Sequence, residues 1–93
     1  MNIILKYEEV ERKIDISGVT YVAQIYQLQL TAQGIYSFTS QFPHKETFDL
    51  SYKKFSNGNG MLYIHTIRGV FSFHIVEDAN DFIRAYKKHI KGL

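Results

Sequence analysis

Ninety-three residues allow one domain with a single core, and 45% apolar against 22% charged residues is the balance of an ordinary globular chain. The absence of cysteine excludes disulfides, thiolate metal sites and thiol nucleophiles together, and no apolar run approaches the roughly 20 residues a membrane span needs. A net charge of +2, spread without a basic block, offers no electrostatic platform for nucleic acid or an anionic membrane.

Seven Tyr and seven Phe tilt the composition towards strands. The opening MNIILKYEEVERK runs apolar and then acidic, the reverse of a secretion signal, so the expectation is a soluble, cytoplasmic protein. Residues 2–7 and 12–16 read as two strands separated by the acidic EEVE, with Ser17-Gly18 as the following turn. TYVAQIYQLQL alternates Tyr26, Leu28 and Leu30 with Gln27 and Gln29, as a half-buried strand does, and Gly34 closes its hairpin to a strand over Ile35 to Ser40. Gln41 to Lys45, with the single proline, reads as a loop. ETFDLSY then places Phe48, Leu50 and Tyr52 on one face and Thr47, Asp49 and Ser51 on the other. NGNG at 57–60 is a turn, and it lacks the GxxxxGK[ST] spacing of a phosphate loop.

The clearest pattern is MLYIHTIRGVFSFHIVEDANDFIRAYKKHI. With Arg68-Gly69 as a two-residue loop, Ile67 faces Val70. Leu62, Ile64 and Thr66 then share the core face with Phe71, Phe73 and Ile75. Met61, Tyr63, His65 and Ile67 share the other face with Val70, Ser72, His74 and Val76. A helix follows over 78–91. Asp78 is its N-cap with Asp81 three residues on, Ala79, Phe82, Ile83, Tyr86 and Ile90 form one apolar stripe, and Gly92 stands at the C-cap. Acids crowd its first turn and lysines its last two, which suits the helix dipole.

Seven antiparallel strands followed by one capping helix is the plan of the pleckstrin-homology-like barrel. The segments GIYSFTS, FDLSYKKF and GMLYIHTIRGVFSFHIVEDANDFIRAYKKHI resemble the small bacterial members of that superfamily and the related GRAM domains. The likeness spans about residues 34–91 and reaches the first third only through strand count. It implies that residues 1–93 form a single pleckstrin-homology-like domain, mainly β, a barrel or bent sheet capped by a helix. It also implies a binding scaffold, an analogy at the level of fold. The chain departs from the eukaryotic pattern in having no Trp. Its first hairpin region, YEEVERK, sets three acids against Arg12 and Lys13 and would repel an inositol phosphate, which argues against a membrane-lipid ligand.

Candidate chemistry is sparse. In the register above, His65 faces Ser72 and His74 faces Tyr63, leaving the two imidazoles diagonal, about 7–8 Å apart between Cα atoms. Two ligands do not make a zinc site, so no metal or cofactor is expected. No GxSxG elbow or held nucleophile points to an enzyme. Tyr36, Phe38, Tyr52 and Tyr63 near Lys45, Lys53, Lys54 and Arg68 supply the alternative, a single-stranded nucleic-acid module that stacks bases on aromatics. Most of those aromatics fall in core alternation, and the favoured reading is a non-enzymatic bacterial or phage module engaging a protein, a second copy of itself included. Its expected contact face is Met61, Tyr63, His65, Ile67, Val70, His74 and Val76, which is more apolar than a solvent face requires.

Overall fold

The computed structural model describes residues 3–91, with side chains through residue 88. Seven strands form one antiparallel sheet: β1 (Ile3–Asp15), β2 (Gly18–Leu30), β3 (Gly34–Tyr36), β4 (Gln41–Pro43), β5 (Thr47–Lys54), β6 (Gly60–Thr66) and β7 (Gly69–Ile75). A single helix, α1 (Asn80–Lys91), follows. The order across the sheet is β4-β3-β2-β1-β7-β6-β5, so the first and last strands pair at the centre while β4 and β5 form the two edges. Only the 3-10 turn His44–Glu46 joins those edges. Three residues span little more than about 10 Å, so the sheet must curl round until its edges nearly meet. It is a bent, unclosed sheet with a slit between β4 and β5.

The inward face of that curl is the core. Leu5, Tyr7, Leu28, Leu30, Ile35, Phe42, Leu50, Leu62, Ile64 and Ile75 come from all seven strands, and Ala79, Phe82 and Tyr86 of α1 close the open side. Phe71 and Phe73 pack against this cluster, with Phe42 tilted against Phe71 and edge-on to Phe73, and Tyr7 set edge-on to Phe73 at 5.0 Å. Phe82 is 1% exposed, a burial worth about 1.5–3 kcal/mol by area. Arg68 latches the slit. Its guanidinium donates to the Gln41 carbonyl at 2.9 Å, sits 3.4 Å from Glu46, and lies over the rings of Phe42 and Phe71.

Several local expectations are corrected. Residues 3–15 form one strand rather than two, because the backbone alternation runs straight through EEVE. The β6–β7 loop is Ile67-Arg68, with Thr66 paired to Gly69. Among the described residues no non-glycine residue has positive φ, which excludes the primed hairpin turns at Ile67-Arg68 and at Ile16-Ser17. Both hairpins place glycine at the fourth turn position, Gly69 at φ 123° and Gly18 at φ 128°, where a type I turn accepts it. Thr66 Oγ1 fixes the first by accepting from the Arg68 amide and donating to the Gly69 carbonyl. The shift moves pairing by two residues and leaves each face as expected.

The strand expected over 35–40 stops at Tyr36, and the expected loop contains β4. A Cβ at Gly34 would collide with the Phe42 carbonyl oxygen, so glycine is required there by close strand approach and not only by a turn. In β5 a bulge between Thr47 and Asp49 turns Phe48 outward to 69% exposure and buries Thr47, whose hydroxyl donates to the Pro43 carbonyl. The expected N-cap shifts by one residue. The Ala79 carbonyl accepts the first helical bond, from the Ile83 amide at 3.0 Å. Asp78, just before it, accepts from the Asn80 amide at 2.8 Å, and the helix itself starts two residues later than expected. Asp81 does not complete a capping box; it pairs with Arg84 at 3.4 Å. The expected C-cap at Gly92 lies outside the described residues, as do the side chains of His89 and Ile90.

Candidate protein-interaction surface

β1 and β2 pair without interruption from Ile3–Leu30 to Asp15–Gly18, with no bulge. Side chains of a regular strand alternate strictly, so Ile3, Leu5, Tyr7, Glu9, Glu11, Lys13 and Asp15 must share one face. The first three are the core side. Beyond Tyr7 that same face turns polar: Glu9, Glu11 and Lys13 oppose Gln24, Val22 and Thr20. The apolar residues pass to the outer face, where the cross-strand pairs are Glu8–Ile25, Val10–Ala23, Arg12–Tyr21 and Ile14–Val19. The hydrophobic phase inverts while the backbone register does not. A one-residue slip would normally be needed to move an apolar set across a sheet, and none occurs here.

The inversion coincides with the end of the globular body. β1 pairs with β7 only at Tyr7 and Glu8, and β2 pairs with β3 only at Gln29 and Leu30. Residues 9–24 therefore form a two-stranded arm with no third strand on either edge, and the molecule is drawn out to 54 × 29 × 23 Å. Seven of the twelve large apolar residues exposed among the described residues belong to β1, β2 and their turn. Ile14 is 71% exposed, Tyr21 67% and Val10 58%. A free two-stranded ribbon is at best marginally stable in water. At its base Tyr26 stacks on Phe38 at 4.6 Å and its hydroxyl donates to Glu11 at 3.2 Å. At its tip Asp15 accepts from the hydroxyl and amide of Ser17, and that pair of bonds, the hydroxyl first, holds the Asp15 carboxyl below its ordinary range.

The contact face expected from sequence is the outer side of β6 and β7, and it divides. Met61, Tyr63, His65, His74 and Val76 are half-buried, whereas Ile67 and Val70 stand exposed at the β6–β7 loop. One row of cross-strand neighbours, Lys53–Met61–His74–Glu8–Ile25, crosses five strands and joins this face to the arm. His74 Nδ1 lies 3.9 Å from Glu8 in that row. His65 pairs with Val70 and His74 with Met61, so the two imidazoles stand four residues apart along the strands, about 13 Å, and not on a diagonal. Among the described residues no group of three or more His, Asp and Glu comes together. The Ser–His neighbours that do form are Ser51 and His65, Oγ to Nε2 2.6 Å, a cross-strand hydrogen bond on the open outer side of the sheet.

The aromatics named for nucleobase stacking do not form one platform. Tyr52 packs against the core, Phe38 covers Tyr26, and Tyr36 and Tyr63 lie on the outer face but on β3 and β6, which are separated by three strands. Arg68 is committed to Gln41 and Glu46. The arm itself carries Glu9, Glu11 and Asp15 against Arg12 and Lys13, a net charge of −1 that offers no attraction for phosphate.

Val10, Ile14, Val19, Tyr21 and Ile25 were not singled out by the sequence reading. Their signal is a broken alternation, interrupted by Arg12 in VERKI and by Val22 in VTYVAQI, and the phase change beside the acids resembles a strand boundary. No helix among the described residues is long and apolar enough to cross a membrane. No protein-family model, curated protein or solved structure matches this chain.

Proposed function

We propose that the chain is a non-enzymatic binding module of pleckstrin-homology-like build, from a bacterium or phage and working in the cytoplasm. It engages a protein partner through the β1–β2 arm and the outer sheet face continuous with it. The carrying observation is the inverted hydrophobic phase: Val10, Ile14, Tyr21 and Ile25 are exposed on a ribbon whose residues 9–24 pair with no third strand. Apolar side chains concentrated on one face of a projecting element gain free energy only when another surface covers them. The acidic balance of the arm and the scattered aromatics favour a protein surface over a nucleic acid.

A photo-crosslinking residue in place of Tyr21, with a control in place of the exposed Phe48, tests this in the cell that makes the protein. Protein adducts from position 21 and none from position 48 are expected. Absence of any adduct from position 21 refutes the arm as a binding surface.

A further inference from the structure

We infer that the arm's apolar face is covered by the same face of a second copy of this chain, in a two-fold dimer whose axis runs along the Val10–Ala23 cross-strand line. Self-association through this face rests on the arm being a binding surface, as proposed above. The specific geometry comes from self-complementarity. A two-fold axis lying between the two layers, perpendicular to the strands at Val10, reverses each strand over its own copy. Glu8 then meets Arg12 of the other copy, twice. Ile25 meets Tyr21, also twice, and the fully exposed turn residue Ile16 reaches Ile4, which is 49% exposed. Lys6 lays its aliphatic stem along Ile14. At the centre are Val10 and the small Ala23, which let the layers approach while larger flanking side chains interdigitate, as in aligned sheet packing. An axis one pair further along, at Arg12–Tyr21, would set arginine against arginine.

The area fits a dissociable dimer. Two strands of 13 residues give a face about 40 Å long and roughly 12 Å wide, so the two copies cover about 1,000 Å² together. That reaches the lower bound of specific interfaces, the size of a dissociable contact rather than of a permanent assembly. The polar face of the arm, with Glu9, Glu11 and Lys13, remains in water.

Charge exchange tests the arrangement. Glu8 and Arg12 lie four residues apart on one strand, about 13 Å, too far to pair within a chain, so any rescue between them must be intermolecular. Sedimentation equilibrium of the purified full chain from micromolar to millimolar concentration is expected to show a monomer–dimer equilibrium. Glu8→Arg and Arg12→Glu each weaken it about tenfold or more by creating two like-charge contacts, and the double reversal restores it to near the wild-type value. Ala23→Lys, at an exposed position, abolishes the dimer while the circular dichroism spectrum and melting temperature of the monomer stay unchanged. A wild-type chain that is monomeric at millimolar concentration overturns the inference, and so does a dimer indifferent to both reversals, which would signify pairing through the open strand edges. Either result leaves the position-21 crosslink to a different protein standing as an independent measurement of the binding surface.

Discussion

Replacing Arg68 by alanine probes the device that holds the curled sheet shut. The wild-type side chain is half exposed, so each of its interactions takes the low end of its range. The guanidinium hydrogen bond to the Gln41 carbonyl at 2.9 Å is worth about 1.5 kcal/mol. The Glu46 contact at 3.4 Å, 28% exposed on the acid side, adds about 0.5 kcal/mol. The rings of Phe42 and Phe71, at 6.0 and 5.7 Å from the guanidinium carbon, contribute about 0.5 kcal/mol more. Arg68→Ala is therefore expected to lose about 2 kcal/mol, allowing for non-additivity within one side chain. In urea, with a slope of about 1 kcal/mol/M for a chain of this size, the midpoint falls by roughly 2 M. Arg68→Lys retains the charge without the planar fork and falls between the two. A double-mutant cycle with Glu46→Gln isolates well under about 1 kcal/mol, and added salt removes only that share. A loss below about 0.5 kcal/mol for Arg68→Ala would refute the latch, because the slit would then be held by the short β4–β5 connection, the Ile67 amide bond to the Glu46 carbonyl and the packing of Phe42 without it.

Three further outcomes are expected. Phe82→Ala removes a core plug of α1 at 1% exposure and costs about 3–5 kcal/mol, a large part of the total stability of so small a domain, readable as a collapse of the thermal transition. The Tyr86 hydroxyl is buried without a hydrogen-bond partner among the described residues, and burial, then the nearby Asp49 charge, raises its pKa above the ordinary 10.0. The folded form thus holds that proton longer, so its stabilisation is complete below pH 10.0 and is lost as pH rises through the folded value. Tyr86→Phe should be neutral or stabilising at pH 7 and should delay alkaline unfolding; a clear loss at neutral pH would show an unrecognised partner for the hydroxyl. Asp15 moves the other way: its carboxyl titrates below 3.8, so the turn interaction is present above that pH and disappears as pH falls through the folded value. A nuclear magnetic resonance titration should show Ser17→Ala returning the Asp15 midpoint towards 3.8.

The strand-rich composition, the β6–β7 hairpin, the terminal helix and most of the core were legible in the residues, whereas the continuity of β1 and the existence of β4 were not. Alternation in β6 and β7 assigns Leu62, Ile64 and Ile75 inward whatever the loop, because a two-residue register shift preserves the face of every side chain. The helical spacing of Ala79, Phe82 and Tyr86 likewise needs no tertiary information. Phe48 was misassigned because a bulge adds one residue locally and reverses the alternation, and that bulge has no Gly or Pro to announce it. The His65–His74 diagonal failed on the same kind of detail, since faces survive a shift of two residues but neighbours do not.

What the sequence determined by itself was local: strand and helix periodicities, the glycines at two hairpins, and the Asp78 carboxylate at the start of the helix. Tertiary structure decided where the body ends. Only the pairing of β1 with β7 at Tyr7 and Glu8, and of β2 with β3 at Gln29 and Leu30, leaves residues 9–24 outside the curl. Alternation records that two sets of side chains point opposite ways, but which set meets the core and which meets water depends on strands far away in the chain.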